Sequence, residues 1–451
     1  MIIQKYLGIK ELPVLAHSLL KKYLILVLLN SLILGASSTF FILYVIDKLG
    51  FLLAAVFMTI IMLVQTIIDY PSGSLGDWIG QRWVLAFSYV GYALSYLLLF
   101  TAQSFSSFIS VALVFGLSNA QASGTLSSWL DNNYRKVIKD ADSDRKVYGF
   151  SLSRISTLDR ISLSTTYILG GVLATMFSRR FGFFGQGIFL LILVGLVLML
   201  VKNVKIEEGE IVESGRKSTS IREYLAYLRG GIRFLFSSKT AFFFLIGLAI
   251  YDVTWYVYGN LILSPIYFGY SGSDSVTGVL RTIIFLNGVP LGIYLSNVSK
   301  KVSRRRFGQF LFLHLILFFP LLLILLYSIP PSDTFNLLGL IGIIILTNFL
   351  NSFLFRLAVV LRQRITVDLV PSENRNAIYS LLPTLSGLFV VPMLIIAGFQ
   401  IETYGISAGI IVAFLVSVTG AILIFIGMHF LNSQKETTLK TTEVESIPTS
   451  G

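Results

Sequence analysis

The chain has 451 residues, of which 55% are hydrophobic and only 13% charged, so it carries more apolar surface than a soluble fold can bury. Its formal net charge of +12 does not indicate nucleic-acid binding, because the Lys and Arg residues lie between hydrophobic segments instead of along one continuous face. The absence of cysteine excludes disulfides, thiol catalysis and Cys-ligated metal sites.

Hydrophobic runs divide the chain into twelve segments of the length that crosses a hydrocarbon core of about 30 Å. The first half contains residues 23–45, 50–70, 83–102, 106–130, 152–176 and 182–201. The second half contains residues 241–268, 275–297, 307–328, 335–361, 377–399 and 405–431. We therefore predict an all-α integral membrane protein with twelve transmembrane helices, in contact with the lipid bilayer.

The positions of the basic residues support this arrangement, because Lys and Arg accumulate in cytoplasmic loops. If both termini are inside, only three basic residues lie outside, namely Lys48, Arg179 and Arg180. Four more lie within spans, namely Arg154, Arg160, Arg281 and Arg356. All others of the 35 fall on the cytoplasmic side. This bias predicts a multi-pass plasma-membrane protein with both termini in the cytoplasm.

A polar stretch after the sixth span divides the chain into domains. We predict an N-terminal six-helix bundle at 1–201, a cytoplasmic linker at 202–240, a C-terminal six-helix bundle at 241–431 and a disordered cytoplasmic tail at 432–451. Between 221 and 235, apolar residues recur at helical spacing with arginines between them. This part of the linker is predicted to be an amphipathic helix in the membrane interface.

A short pattern occurs at the cytoplasmic end of the second span in each half. Residues 71–82 and 290–301 both begin with Pro-x-Gly after an apolar run. The two halves are therefore predicted to be parallel repeats related by an axis along the membrane normal.

The first copy contains the pattern Gly73-x-Leu75-Gly76-Asp77-x-x-Gly80-x-Arg82, preceded by Asp69. This pattern resembles the signature loop of the major facilitator superfamily, which lies between helices two and three. The resemblance implies the fold of that family, secondary transport by alternating access, and a cytoplasmic gating loop. The gating residues would be Asp69, Gly73, Asp77, Gly80 and Arg82.

Two other patterns of the family are incomplete and leave coupling and direction open. Ala112 stands where the proton-linked pattern has arginine, and Ile168 stands where the antiporter pattern has proline. We expect a monomer that couples a small-molecule substrate to protons, because no nucleotide-binding motif is visible, and the family favours efflux of drug-like or organic compounds. An organic-anion symporter or uptake carrier is the alternative, and a nontransporting sensor on the same scaffold is a further one.

An enzyme is not expected. Catalytic side chains do not cluster in the sequence, and His17, His314 and His429 are far apart. No cofactor, metal site or nucleic-acid partner is predicted.

Four charged residues lie deep within predicted spans, where an ionisable group is costly and normally faces a protein interior or a water-filled cavity. At about 1.5 Å per residue, Asp159 and Arg160 lie roughly 10 to 12 Å from the cytoplasmic edge, Asp252 about 16 Å and Arg281 about 21 Å. We expect Asp252 and Arg281 to meet across neighbouring helices. The carboxylates would carry a coupling proton or bind a cation, and the arginines would bind anions; structural ion pairs are the alternative.

The remaining substrate or coupling candidates are polar residues on the first, fourth, seventh and tenth spans, which line the cavity in the family. They are Asn30, Asn119, Gln121, Trp255, Tyr256, Asn348 and Asn351. Hydrogen bonding between helices is the alternative role for each of them.

Overall fold

The chain folds into helices, as a computed structural model shows for residues 2–75, 79–138, 141–142, 144–202, 229, 232–302, 307–369 and 375–445. Every regular element in these ranges is helical, which confirms the prediction of an all-α protein. The predicted interfacial helix falls mostly outside the described residues. Arg229 and residues 232–235 are helical.

The described residues of the first half form eight α-helices. They are α1 Ile2–Leu7, α2 Val14–Gly35, α3 Phe41–Leu75, α4 Gln81–Thr101, α5 Phe105–Ala122, α6 Thr125–Ile138, α7 Lys146–Phe177 and α8 Arg179–Leu200. Within α3, Gly50 has φ 78° and ψ 174°, so two helices meet there. This left-handed φ is accessible to glycine at little cost. The first predicted span therefore comprises α2 and residues 41–49, and the second comprises residues 51–75.

The second half forms α9 Lys239–Val257, α10 Leu263–Ser271, α11 Asp274–Lys301, α12 Phe307–Ser328, α13 Leu337–Ile344, α14 Ser352–Leu369, α15 Arg375–Tyr404 and α16 Ile406–Glu445. Short π-helical segments join α9 to α10 at Tyr258–Ile262 and α13 to α14 at Ile345–Asn351. The α16 helix continues past residue 431 into the segment whose composition predicts disorder. This extension contains three Glu, two Lys and one Gln, which have good helix propensity, beside four Thr.

Ten helical segments in the described part of the chain are long and apolar enough to cross a membrane. The two other predicted spans correspond to α7 and α11, which are 32 and 28 residues long. These two helices carry the deep charges Asp159, Arg160 and Arg281. Their length suffices for a span.

Contacts divide the chain into two compact units that differ from the predicted bundles. The first unit contains Met1–Thr219, Ser264–Val289 and Pro331–Leu337. The second contains Ser220–Leu263, Pro290–Pro330 and Leu338–Gly451. The first unit thus includes most of α10 and the N-terminal part of α11 together with α1 to α8.

Aromatic side chains form much of the core of the first unit. The ring of Phe183 on α8 is fully buried, and its centroid lies 5.0 Å from that of Tyr44 and 5.2 Å from that of Phe40. In the second unit, α9 packs closely on α16, where a Cβ at Gly420 would lie 2.7 Å from the backbone nitrogen of Tyr251. Glycine here allows the two helix backbones to approach.

Within the first unit, α7 also contacts α11 through small residues. A Cβ at Gly171 would overlap the carbonyl oxygen of Asp274, and a Cβ at Gly278 would overlap that of Tyr167. The Thr282 hydroxyl donates to the Ser164 carbonyl oxygen at 2.8 Å. We call this region the α7–α11 contact.

A buried ion pair lies beside the α7–α11 contact. Arg179, the first residue of α8, donates from Nε to Asp274 Oδ2 at 2.9 Å and from Nη2 to Oδ1 at 3.0 Å. Its Nη1 also bonds Asp47. The side chains of Arg179 and Asp274 are only 13% and 10% exposed, so this fork-like pairing is largely shielded from solvent.

Replacement of Gly278 by Ala is expected to lower the apparent Tm of the detergent-purified protein. The added methyl group has no space against the Tyr167 carbonyl, and such overpacking costs about 1–3 kcal/mol. Gly195→Ala is the matched control, because Gly195 lies in α8 and a Cβ there meets no atom within 4 Å. The control should melt at the wild-type temperature or above it. Equal Tm values for the two variants would contradict the α7–α11 contact.

Candidate functional site

The predicted gating loop is partly described. Asp69 lies on α3, where its carboxylate is hydrogen-bonded by Ser123. Gly73 belongs to the last turns of α3, and Asp77 falls outside the described residues. Gly80 precedes α4 with φ 90°, a conformation that favours glycine. Arg82 lies over the ring of Trp83, with 5.5 Å between its Cζ and the ring centroid.

The loop before α7 is organised by Asp142, which sequence reasoning missed. Its carboxylate accepts from the backbone amides of Val147 at 3.1 Å and Tyr148 at 2.9 Å, and from the Tyr134 hydroxyl at 2.9 Å. Desolvation raises the pKa of Asp142, but these hydrogen bonds outweigh it and hold the pKa below its usual range. Asp142 therefore satisfies amides at the start of the helix that carries Asp159 and Arg160.

The two deep charges on α7 have different surroundings. Asp159 is partly buried, and its Oδ1 accepts a hydrogen bond from the Ser31 hydroxyl on α2. Arg160 is exposed, and its side chain has no acidic partner in the part of the chain that the structure describes. Adjacent helix positions do not face each other, so Arg160 does not neutralise Asp159 by position alone.

Other polar candidates of the first unit form hydrogen-bonded pairs. Tyr89 donates to Asn30 Oδ1 at 2.9 Å. Tyr92 donates to Asn119 Oδ1 at 2.6 Å, and Asn119 Nδ2 donates to Gln65 Oε1 at 3.1 Å. These bonds link α2, α3, α4 and α5 within the unit.

Gln121 lies near the end of α5 and is partly buried. Its backbone carbonyl oxygen accepts from the Thr125 hydroxyl at 2.6 Å, next to the break between α5 and α6. The structure therefore associates Gln121 with a local turn between two helices.

Arg281 contacts only neutral groups among the described residues. Its Nη1 donates to the Ser264 hydroxyl oxygen at 2.6 Å, and its Cζ lies 4.9 Å from the centroid of the Tyr167 ring. Its Nε is buried and has no hydrogen-bond partner. The partners lie on α7 and α10, and the three residues belong to the first unit.

The predicted pairing of Asp252 with Arg281 is wrong. Asp252 on α9 instead accepts from both terminal nitrogens of Arg362 on α14, with 2.7 Å between Nη2 and Oδ2. Sequence reasoning placed Arg362 in a cytoplasmic loop, because the apolar run ends at residue 361. In the structure α14 continues to Leu369, so Arg362 stays on the helix and turns toward α9.

A buried histidine cluster lies next to this ion pair in the second unit. His314 Nε2 donates to Asn351 Oδ1 at 2.8 Å, which leaves Nδ1 to accept from the Tyr251 hydroxyl at 3.3 Å. The imidazole stacks on Trp255 with 5.4 Å between centroids and 6° between planes. The predicted candidates Trp255 and Asn351 thus meet here, and His314 is an addition to them.

The side chains of the remaining candidates of the second unit form no hydrogen bond or ring contact with His314. Tyr256 is exposed, and its carbonyl oxygen accepts from Asn260 at 2.8 Å. Asn348 is buried in the second π-helical segment, where its Nδ2 donates to the Thr347 hydroxyl at 3.3 Å. Its Oδ1 is buried without a hydrogen-bond partner.

An apolar groove of about 600 Å³ lies between α2, α7 and α8 in the first unit. Leucine, isoleucine and phenylalanine side chains line most of it, with Gln186 and Thr166 as polar members. Such a lining suits contact with lipid tails better than binding of a polar solute. No metal-binding cluster of His, Asp and Glu occurs among the described residues.

Comparison with known proteins points to one family. Residues 23–345 match the Major Facilitator Superfamily. No curated protein matches the sequence.

Several solved structures share the fold at low sequence identity. The nucleoside transporter NupG superposes with a TM-score of 0.70 at 14% identity, over 92% of this chain and 99% of its own. The POT family transporter PepTSo gives 0.65 at 9% identity, over 93% and 98% of the two chains. The D-xylose-proton symporter gives 0.61 at 12% identity, over 90% and 97%.

The Asp252–Arg362 pair is expected to stabilise the second unit. Asp252→Asn leaves the Arg362 guanidinium without a counter-ion, and for a pair about one-quarter exposed the cost should be about 1–3 kcal/mol. Apparent Tm measurements on the two single variants and on Asp252→Asn/Arg362→Gln form a double-mutant cycle. The double variant should be more stable than additivity predicts. Strictly additive stability changes would show that Asp252 and Arg362 have no coupling energy.

Asp142 is expected to stabilise the start of α7 in a pH-dependent manner. Because its pKa is lower in the folded than in the unfolded protein, its contribution is present above the ordinary Asp pKa of about 4 and is lost as the pH falls through the folded-state pKa. Asp142→Asn should lower the apparent Tm at pH 7, and the difference from wild type should shrink in acid. A Tm difference that is constant between pH 7 and pH 3 would contradict this. Asp144→Asn is the control, because Asp144 pairs with Lys146 on the surface.

Proposed function

The chain belongs to the major facilitator superfamily, a family of membrane transporters, and we propose that it moves a small solute by alternating access, coupled to protons through Asp159. The observation behind this proposal is the different pairing of the two deep carboxylates. Asp252 is held by a guanidinium, whereas Asp159 is met by a neutral hydroxyl.

A coupling carboxylate has to gain and lose a proton during each cycle. Protonation of Asp252 would break a two-point ion pair and leave the partly buried Arg362 guanidinium without a counter-ion. Protonation of Asp159 breaks no ion pair among the described residues, because Asp159 bonds the neutral Ser31 hydroxyl. A hydroxyl can donate to a carboxylate or accept from a carboxylic acid, so this hydrogen bond can persist in both states.

The fold comparison supports proton coupling only in general terms. One structure of the same fold is a proton symporter for D-xylose and another is a nucleoside transporter, so this architecture accommodates both polar solutes and proton coupling. No described residue favours efflux over uptake. Solute flux measured in both directions across proteoliposomes distinguishes efflux from uptake.

We propose an orientation in the plasma membrane with both termini in the cytoplasm, as the distribution of Lys and Arg favours. In this orientation Arg179 and Asp274 lie toward the outer side, at the end of the α7–α11 contact. The buried ion pair and the close backbone approach would then hold the outer ends of α7 and α11 together.

Asp159→Asn is expected to abolish coupling without unfolding the protein. The amide oxygen still accepts from Ser31. The free energy of unfolding should therefore change by about 0.5 kcal/mol or less, and the apparent Tm should change little. In proteoliposomes, solute accumulation driven by an imposed pH gradient should fall to the level of protein-free liposomes. Exchange of labelled for unlabelled solute should continue, because exchange needs no net proton movement. The solute is one that raises the Tm of the wild-type protein in a screen.

The control for this experiment is Asp144→Asn, which removes a surface carboxylate from the loop before α7. It should accumulate solute at the wild-type rate. If Asp159→Asn also retains wild-type accumulation with unchanged pH dependence, Asp159 is not the coupling group. Absence of solute flux across a broad panel would instead favour the nontransporting sensor.

A further inference from the structure

Tyr167, Ser264 and Arg281 form a small cationic cluster on α7, α10 and α11 of the first unit. We infer that this cluster recognises an anionic group of the solute, a carboxylate or a phosphate, so that the transported compound is an organic anion. The inference rests on the proposed transport function and adds the substrate class to it.

The charge of Arg281 is not matched by an acidic side chain among the described residues. Two arginines on or beside the spans meet carboxylates: Arg179 pairs with Asp274 and Asp47, and Arg362 pairs with Asp252. Arg281 meets a hydroxyl and an aromatic ring, and no acidic side chain contacts it in the described part of the chain. A guanidinium deep in a span is costly without a counter-charge, so this position is suited to accept one from a ligand.

The Arg281 side chain also has unused hydrogen-bonding capacity. A guanidinium has five N–H donors in a fixed planar arrangement. Nη1 is bound to Ser264, whereas Nε is buried without an acceptor. Carboxylates and phosphates accept two parallel N–H bonds from this fork, and a neutral solute group satisfies it less well. The Tyr167 hydroxyl also forms a hydrogen bond with the guanidinium, so Tyr167 and Ser264 hold it in place while Nε lacks an acceptor.

Arg160, a second arginine without an acidic partner among the described residues, lies on the same face of α7 as Tyr167. Arg160 precedes Tyr167 by seven residues, which is two helical turns, so both side chains lie on one face about 10 Å apart along the axis. Arg160 is exposed although it lies within a predicted span. A charged side chain at this depth normally faces a protein interior or a water-filled cavity, so we expect Arg160 to add positive potential along the same helix face.

Binding to the detergent-purified protein tests the substrate class without requiring transport. The probes are succinate, benzoate and glycerol 3-phosphate, each measured by calorimetry beside its uncharged counterpart, namely succinamide, benzamide and glycerol. At least one anion should bind wild type more tightly than its counterpart. Arg281→Gln should weaken that anion by about 10- to 100-fold, as expected for loss of hydrogen bonds to a charged group, and leave the counterpart unchanged.

Two further variants separate recognition from folding. Arg281→Lys keeps the charge and should retain part of the preference for the anion, which also provides a readout if Arg281→Gln does not fold. Arg154→Gln removes another α7 arginine, one that lies over the rings of Tyr6 and Phe150, and should bind anions as wild type does.

The inference is overturned if none of the three anions binds, if anions bind no better than their counterparts, or if Arg281→Gln binds them with wild-type affinity. Flux in proteoliposomes distinguishes this failure from failure of the transport proposal. Flux of neutral or cationic solutes without anion binding refutes the substrate class alone. Anion binding without flux of the same anion refutes transport and leaves the recognition site standing.

Discussion

The cost of an uncompensated charge in the hydrocarbon core is the constraint on which the rest of this structure depends. Ten segments of the described chain satisfy it by being apolar. The charged groups satisfy it through ion pairs, hydrogen bonds or ring contacts with different partners. Arg179 and Arg362 are met by carboxylates, Asp159 by a hydroxyl, and Arg281 by a hydroxyl and an aromatic ring. These differences separate charges that are already neutralised from charges available to a proton or a solute.

The two helices that carry the deep charges of the first unit, α7 and α11, also contact each other through small residues. Gly171 and Gly278 allow backbone contact, and Arg179 with Asp274 adds a shielded ion pair beside it. Contact between helices removes polar groups from lipid, so a charged helix is tolerated where a partner covers it. The same two helices then bring Tyr167 and Arg281 together, and the proposed anion site follows from this contact.

The candidate site was only partly predictable from the sequence. The depth of Asp159, Asp252 and Arg281 follows from counting residues along apolar runs, and all three lie on helices as expected. Their partners do not follow from counting. Arg362 looked cytoplasmic because hydropathy ends the apolar run one residue earlier, yet the helix continues for two more turns. His314 gave no signal, since an isolated histidine in an apolar run indicates no partner, and only the structure brings Tyr251 and Asn351 to its two ring nitrogens.

The sequence by itself determined that the chain is an all-helical membrane protein, which helices carry charge, and which family it resembles. These properties depend on composition along the chain, because hydrocarbon thickness fixes span length and charges or glycines interrupt the spans. Only the tertiary structure decided that Asp252 pairs with Arg362, that Asp159 bonds Ser31 and that Arg281 lacks a counter-ion among the described residues. Such pairings depend on the rotation and crossing of helices distant in sequence, and one residue of helix rotates a side chain by about 100°.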